Sequence, residues 1–158
     1  SAHITLQDRQ GQVLDNQIVY APIIQIPAGL EIPLIAIFDR RPLGFSNFQV
    51  DLLSAVQVAG LMDELPMIEV LETRTVYKAD KRLAEVSGKL SVTSHDGDEI
   101  LVRVVGVALD AQGELVGMNV WEERVKSAMN EDIEYRISIF SLGPEIADIR
   151  IHPEVMLK

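Results

Sequence analysis

This chain's most constraining feature is that it repeats itself. Displaced by the separation of Gly11 from Gly113 (113 − 11 = 102), the sequence falls on its own later part. Asp8 then meets Asp110, Gln10 meets Gln112, Val13 meets Leu115, Ile18 meets Val120 and Val19 meets Trp121. Ile23 falls on Val125, Ile35 on Ile137, Ile37 on Ile139 and Phe38 on Phe140, so residues 8–38 run without a gap. One deletion moves the displacement to 101, after which Phe45 meets Ile146, Phe48 meets Ile149 and Val50 meets Ile151. Turn residues and apolar positions recur together, the mark of one supersecondary unit used twice.

The repeat is lopsided. Ahead of Asp110 lies Met67–Leu109, with three candidate strands, whereas ahead of Asp8 there is one short strand. The expected organisation is a partial β-sandwich repeat over residues 1–55, a connector over 56–66, and a complete β-sandwich over 67–158. A half unit leaves sheet edges and a core face open. Strands lying upstream, docking on the complete unit, or exchange between two chains in a homodimer would each close it.

Within both parts apolar and polar residues alternate with period 2 and β-branched residues are frequent, so strands are expected throughout. The pattern predicts them over His3–Leu6, Val13–Tyr20, Ile32–Phe38 and Asn47–Leu53, then over Met67–Tyr77, Ala84–Thr93, Glu99–Leu109, Leu115–Glu123, Ile133–Phe140 and Ile146–Ile151. The turns Asp8-Arg-Gln-Gly11 and Asp110-Ala-Gln-Gly113 place Asp and Gly where a short hairpin wants them. Val56–Leu65 and Glu122–Met129 have a weak helical pattern, limited by Gly60 and Pro66 in the first and by β context in the second. The fold class is all-β, and turn signals about every ten residues indicate a sandwich.

Composition narrows the function. Hydrophobic residues make up 47% of the 158, enough to fold one domain or two small ones. No apolar run approaches the ~20 residues of a membrane-spanning helix, so an anchor is expected only outside this stretch. Fourteen basic against 24 acidic residues leave a net charge of −10, which repels phosphate backbones and argues against nucleic acid. The absence of cysteine removes disulfides, thiolate nucleophiles and iron–sulfur ligands. The chain reads as an excerpt of a longer protein, any signal segment or anchor falling beyond it.

The stretch Val86–Gly117 runs as strand, polar turn, strand ending in Asp-x-x-Gly, then a strand with Val-Gly. In this it resembles the FxLYD-type immunoglobulin-like modules of exported and membrane-anchored prokaryotic proteins. Met129–Phe140 and Gly143–Ile151 are similar to that family's ending, and Pro27–Phe38 with Phe48–Leu52 echo it in the first copy. At the motif positions stand Ile4-Thr-Leu6-Gln-Asp8 and Gly106-Val-Ala-Leu-Asp110, which keep Leu and Asp in the first copy and only Asp in the second. The resemblance implies a small immunoglobulin-like sandwich in an extracytoplasmic setting, and it brings no catalytic or ligand residues.

Chemical motifs are sparse. His3, His95 and His152 accompany no Gly-x-Ser-x-Gly elbow, and no phosphate-binding glycine loop is present. Ser94-His95-Asp96-Gly97-Asp98-Glu99 alternates oxygen donors around a glycine as calcium loops do, making His95, Asp96, Asp98 and Glu99 weak metal candidates, although polar hairpin tips commonly look the same. Trp121 and Tyr135 suggest an aromatic platform, but Trp121 matches Val19 and so reads as core. The segment Val19–Pro33 is apolar with the single charge Glu31, while its counterpart Val120–Tyr135 is polar. Tyr20, Ile23, Ile24 and Ile26 are therefore the expected interaction surface, and Asp8, Gly11, Asp110 and Gly113 the structural turns. The expected function is a non-enzymatic module for spacing, display or protein contact, with a protein partner or a second copy and no cofactor. The alternative is an accessory domain binding a small ligand or cation at the His95–Glu99 turn.

Overall fold

The computed structural model describes residues 1–24, 26, 29–56, 66–78, 80–93, 99–126 and 131–157. Among these are nine strands and no helix. The chain divides into two compact units, Ser1–Ala59 and Gly60–Lys158. The division falls in a stretch outside the described residues, as do most of the expected connector and of the helical pattern at Val56–Leu65.

Unit 1 holds β1 (Ala2–Gln7), β2 (Val13–Val19) and β3 (Asn47–Leu52), hydrogen-bonded antiparallel in the order β2-β1-β3. Unit 2 holds β4 (Met67–Tyr77), β5 (Leu83–Thr93), β6 (Glu99–Leu109), β7 (Leu115–Lys126), β8 (Glu131–Phe140) and β9 (Asp148–Leu157). They form two antiparallel sheets, β4-β5-β8 and β7-β6-β9.

The unit 1 sheet and the second sheet of unit 2 share one register. Ala2 pairs with Val19 and Leu52, and Val104 pairs with Trp121 and Pro153. Ile4 pairs with Gln17 and Val50, as Gly106 pairs with Asn119 and Ile151. Both first hairpins slip at the same point, between Leu6 and Gln7 and between Ala108 and Leu109. The turns agree as well. The Asp8 carboxylate accepts the amides of Gln10 and Gln12 at 2.9 Å, and the Asp110 carboxylate those of Gln112 and Glu114 at 2.9 Å. Gly11 and Gly113 sit at φ 80° and 82°, a left-handed conformation that a side chain strongly disfavours.

Unit 2 is sandwich-like because its alternating residues converge from both sheets. Ala84, Val86, Leu90 and Val92 of β5 and Ile133, Tyr135, Ile137 and Ile139 of β8 meet Ile100, Val102, Val104 and Ala108 of β6, with Val116 and Val155. All are buried, and Ile149 and Ile151 of β9 pack against them partly covered. β4 packs against β9. Gly106 leaves room here: a Cβ on it would collide with the Ile139 side chain.

Three expectations change. Ile32–Phe38 is not a strand; its counterpart β8 gains its ladder from β5, and among the described residues unit 1 has nothing equivalent to β5 for this segment to pair with. β9 begins at Asp148 and runs past the expected end through His152 and Pro153 to Leu157. It is a sheet edge, where a residue without an amide is tolerated. β7 extends to Lys126, which makes Glu122–Lys126 strand and leaves 127–129 outside the described residues.

Candidate contact surface

Alternation along β1 and β3 puts Ala2, Ile4 and Leu6 on one face with Phe48, Val50 and Leu52. In register these match Val104, Gly106 and Ala108 and then Ile149, Ile151 and Pro153, which is the core-facing side of the unit 2 sheet. The unit 1 face thus has core chemistry. On the central strand Ala2 and Leu6 are buried and Ile4 half-buried, whereas on the edge strand Phe48, Val50 and Leu52 are 51–70% exposed. Every residue of β3 is exposed.

The segment after β2 shows the same contrast. Ile37 is 68% exposed, while its counterpart Ile139 is 0% exposed. Fully burying a side chain of this size contributes about 1.5–3 kcal/mol. Completing the burial of Ile37, Phe48, Val50 and Leu52 therefore makes on the order of 5 kcal/mol available, comparable with the whole stability of a small domain. An exposed apolar set of this kind is a candidate contact surface.

Of the residues singled out in sequence, Tyr20 follows β2 and is 74% exposed, and Ile24 and Ile26 are exposed. Ile23 is different: it is buried at 2% and is removed from the expected surface. Adjacent residues in this irregular segment point to different environments, which the shared apolar composition of Val19–Pro33 concealed. Sequence reasoning missed Ile37, Phe48, Val50 and Leu52 as surface residues. The available signal was their alignment with Ile139, Ile149, Ile151 and Pro153, positions that need covering strands.

Unit 2 carries the polar candidates. Glu72, Arg74, Lys89, Glu123, Glu134 and Arg136 surround an open depression of about 500 Å³ with Trp121 and Tyr135 in its wall. Tyr135 is buried and its hydroxyl lies 2.9 Å from Thr73 Oγ1, while its ring centroid is 6.3 Å from that of the half-buried Trp121. The aromatic pair thus belongs largely to the core, and the charges around it are mixed in sign. Arg103 on β6 bridges Glu122 on β7 and the buried Glu154 on β9, a cross-strand triad set by register. The pKa of His152, beside Arg150 in β9, lies below its ordinary value because burial and then the Arg150 charge disfavour its cation.

His95, Asp96 and Asp98 lie outside the described residues, and Glu99 opens β6 with an exposed side chain. Among the described residues no three His, Asp or Glu side chains gather as a metal site. No helix among them is long and apolar enough to cross a membrane. No protein-family model matches this chain, and no curated protein or solved structure matches it.

Proposed function

We propose that the chain is a non-catalytic pair of immunoglobulin-like β-sandwich units, unit 1 being a partial repeat of unit 2, and that it serves protein contact through the open face of unit 1. The carrying observation is the pair Ile37 and Ile139: corresponding residues, one exposed and the other fully buried. Shared registers across three strands support the repeat. Support for the immunoglobulin-like type comes from the grouping in unit 2, where first, second and fifth strands form one sheet and third and sixth are neighbours in the other, as strands A, B, E and C, F are in that fold. An exported or membrane-anchored prokaryotic setting belongs to the same reading and rests on the resemblance of Val86–Gly117 to FxLYD-type modules.

The test is a double substitution, Ile37→Ser with Phe48→Ser, in the whole chain. An anionic hydrophobic dye should bind the unaltered protein and lose most of its fluorescence enhancement with the variant, while circular dichroism and the unfolding midpoint stay within error. Equal dye binding by both proteins would mean that the face is not open in solution and would end the contact reading.

A further inference from the structure

Unit 1 is open at three places, and one missing element accounts for all of them. Residues 34–38 form no ladder, whereas in unit 2 the matching residues 136–140 pair with Leu83–Ser87 of β5. Phe48, Val50 and Leu52 are uncovered on β3, whereas β4 packs against β9, the counterpart of β3. The amide of Phe45 turns inward to Pro42 O at 3.2 Å, whereas that of its counterpart Ile146 reaches Lys81 O, in the β4–β5 turn, at 2.8 Å.

We infer that the occupant of the unit 1 face is a β-hairpin of the β4–β5 kind, whose second strand runs into Ser1. This rests on reading unit 1 as a partial repeat. The required chemistry follows from β5: inward small and branched apolar residues at alternate positions, as in Ala84 and Val86, set against Ile37 and Ile35. Pairing covers residues 34–38, as the matching residues 136–140 pair with β5. A second copy of the chain is a poor occupant, because the hairpin of each copy is already engaged with β8 and β9 of its own unit 2. Strand order carries the point of attachment: β5 leads directly into β6, and β1 is the counterpart of β6. This is strand addition to an open sheet, in which backbone pairing gives affinity and alternate side chains give specificity.

The test places a second copy of residues 67–102 directly before Ser1 in the full chain, preserving the 102-residue spacing. Amide hydrogen exchange, read by mass spectrometry over residues 34–38, should slow at least tenfold, and light scattering should give a monomer of the extended chain. The same extension with Val86→Asp and Leu90→Asp in the added copy alone should leave exchange unchanged. If the extended chain folds poorly, a synthetic peptide of residues 67–93 added to the unextended protein is expected to give the same protection. Exchange at 34–38 unaffected by either hairpin, with unit 2 still protected, would overturn the proposal. So would a dimer of the unextended protein in which 34–38 are already protected, since a second copy would then be the occupant. An open face that takes no hairpin leaves the contact reading standing, whereas a dye-silent face removes both.

Discussion

Gly88 and Tyr135 face each other across β5 and β8, and a Cβ on Gly88 would stand 2.7 Å from the Tyr135 hydroxyl and ring edge. The tyrosine lies over the bare glycine, which lets its hydroxyl reach Thr73 on β4. Three strands are locked by one missing side chain. Gly88→Ala is expected to cost about 3 kcal/mol, because the new methyl group also meets the backbone of Glu72 and overpacked sites relax poorly. Urea unfolding of the variant beside Gly143→Ala, where a Cβ meets only the Val116 side chain at 3.7 Å, measures this, and equal midpoints would contradict it.

Arg103 is the cation beside the buried Glu154. Arg103→Met removes that cation, and losing a hydrogen bond between charged groups costs roughly 1.5–3 kcal/mol. Adding Glu154→Gln should restore much of the loss. Glu122→Gln, on the exposed arm of the triad, should cost under about 1 kcal/mol. Denaturant unfolding of the unaltered protein and these three variants decides, and a double variant no more stable than Arg103→Met alone would contradict the pairing.

His152 gives stability a pH dependence of known sign. Its pKa in the fold is lowered from the ordinary 6.5 by burial and by Arg150, so between the lowered value and 6.5 the unfolded chain binds more protons. Stability therefore rises with pH in that window, is fully present above about 6.5, and is lost as pH falls toward the folded value. Midpoints of thermal unfolding between pH 5 and 8 should show a steeper acid-side decline for the unaltered protein than for His152→Gln. Parallel curves would contradict it.

Strands could be read from sequence wherever both the alternation and a partner lie within the chain, as in β5 to β8. Ile32–Phe38 has the alternation without a partner among the described residues, and a strand is a property of the pair rather than of one segment. The last strand was expected to end at Ile151, yet β9 continues through Pro153 because one side of an edge strand needs no amide. The Arg103 triad and the Gly88–Tyr135 contact depend on register across two or three strands, which residue spacing along the chain does not express. Ile23 and Ile24 are chemically alike and adjacent, and in a segment without period-2 geometry nothing local told which one is buried.

The central claim is that, among the described residues, unit 1 lacks the cover that unit 2 has. Its most direct measurement is amide hydrogen exchange on the unextended full chain, comparing residues 34–38 with the matching residues 136–140. A missing ladder should leave 34–38 exchanging at least a hundredfold faster, near the rate of unstructured chain. Matched protection of the two stretches would mean that unit 1 is already complete in solution, and the account of its open face would fall.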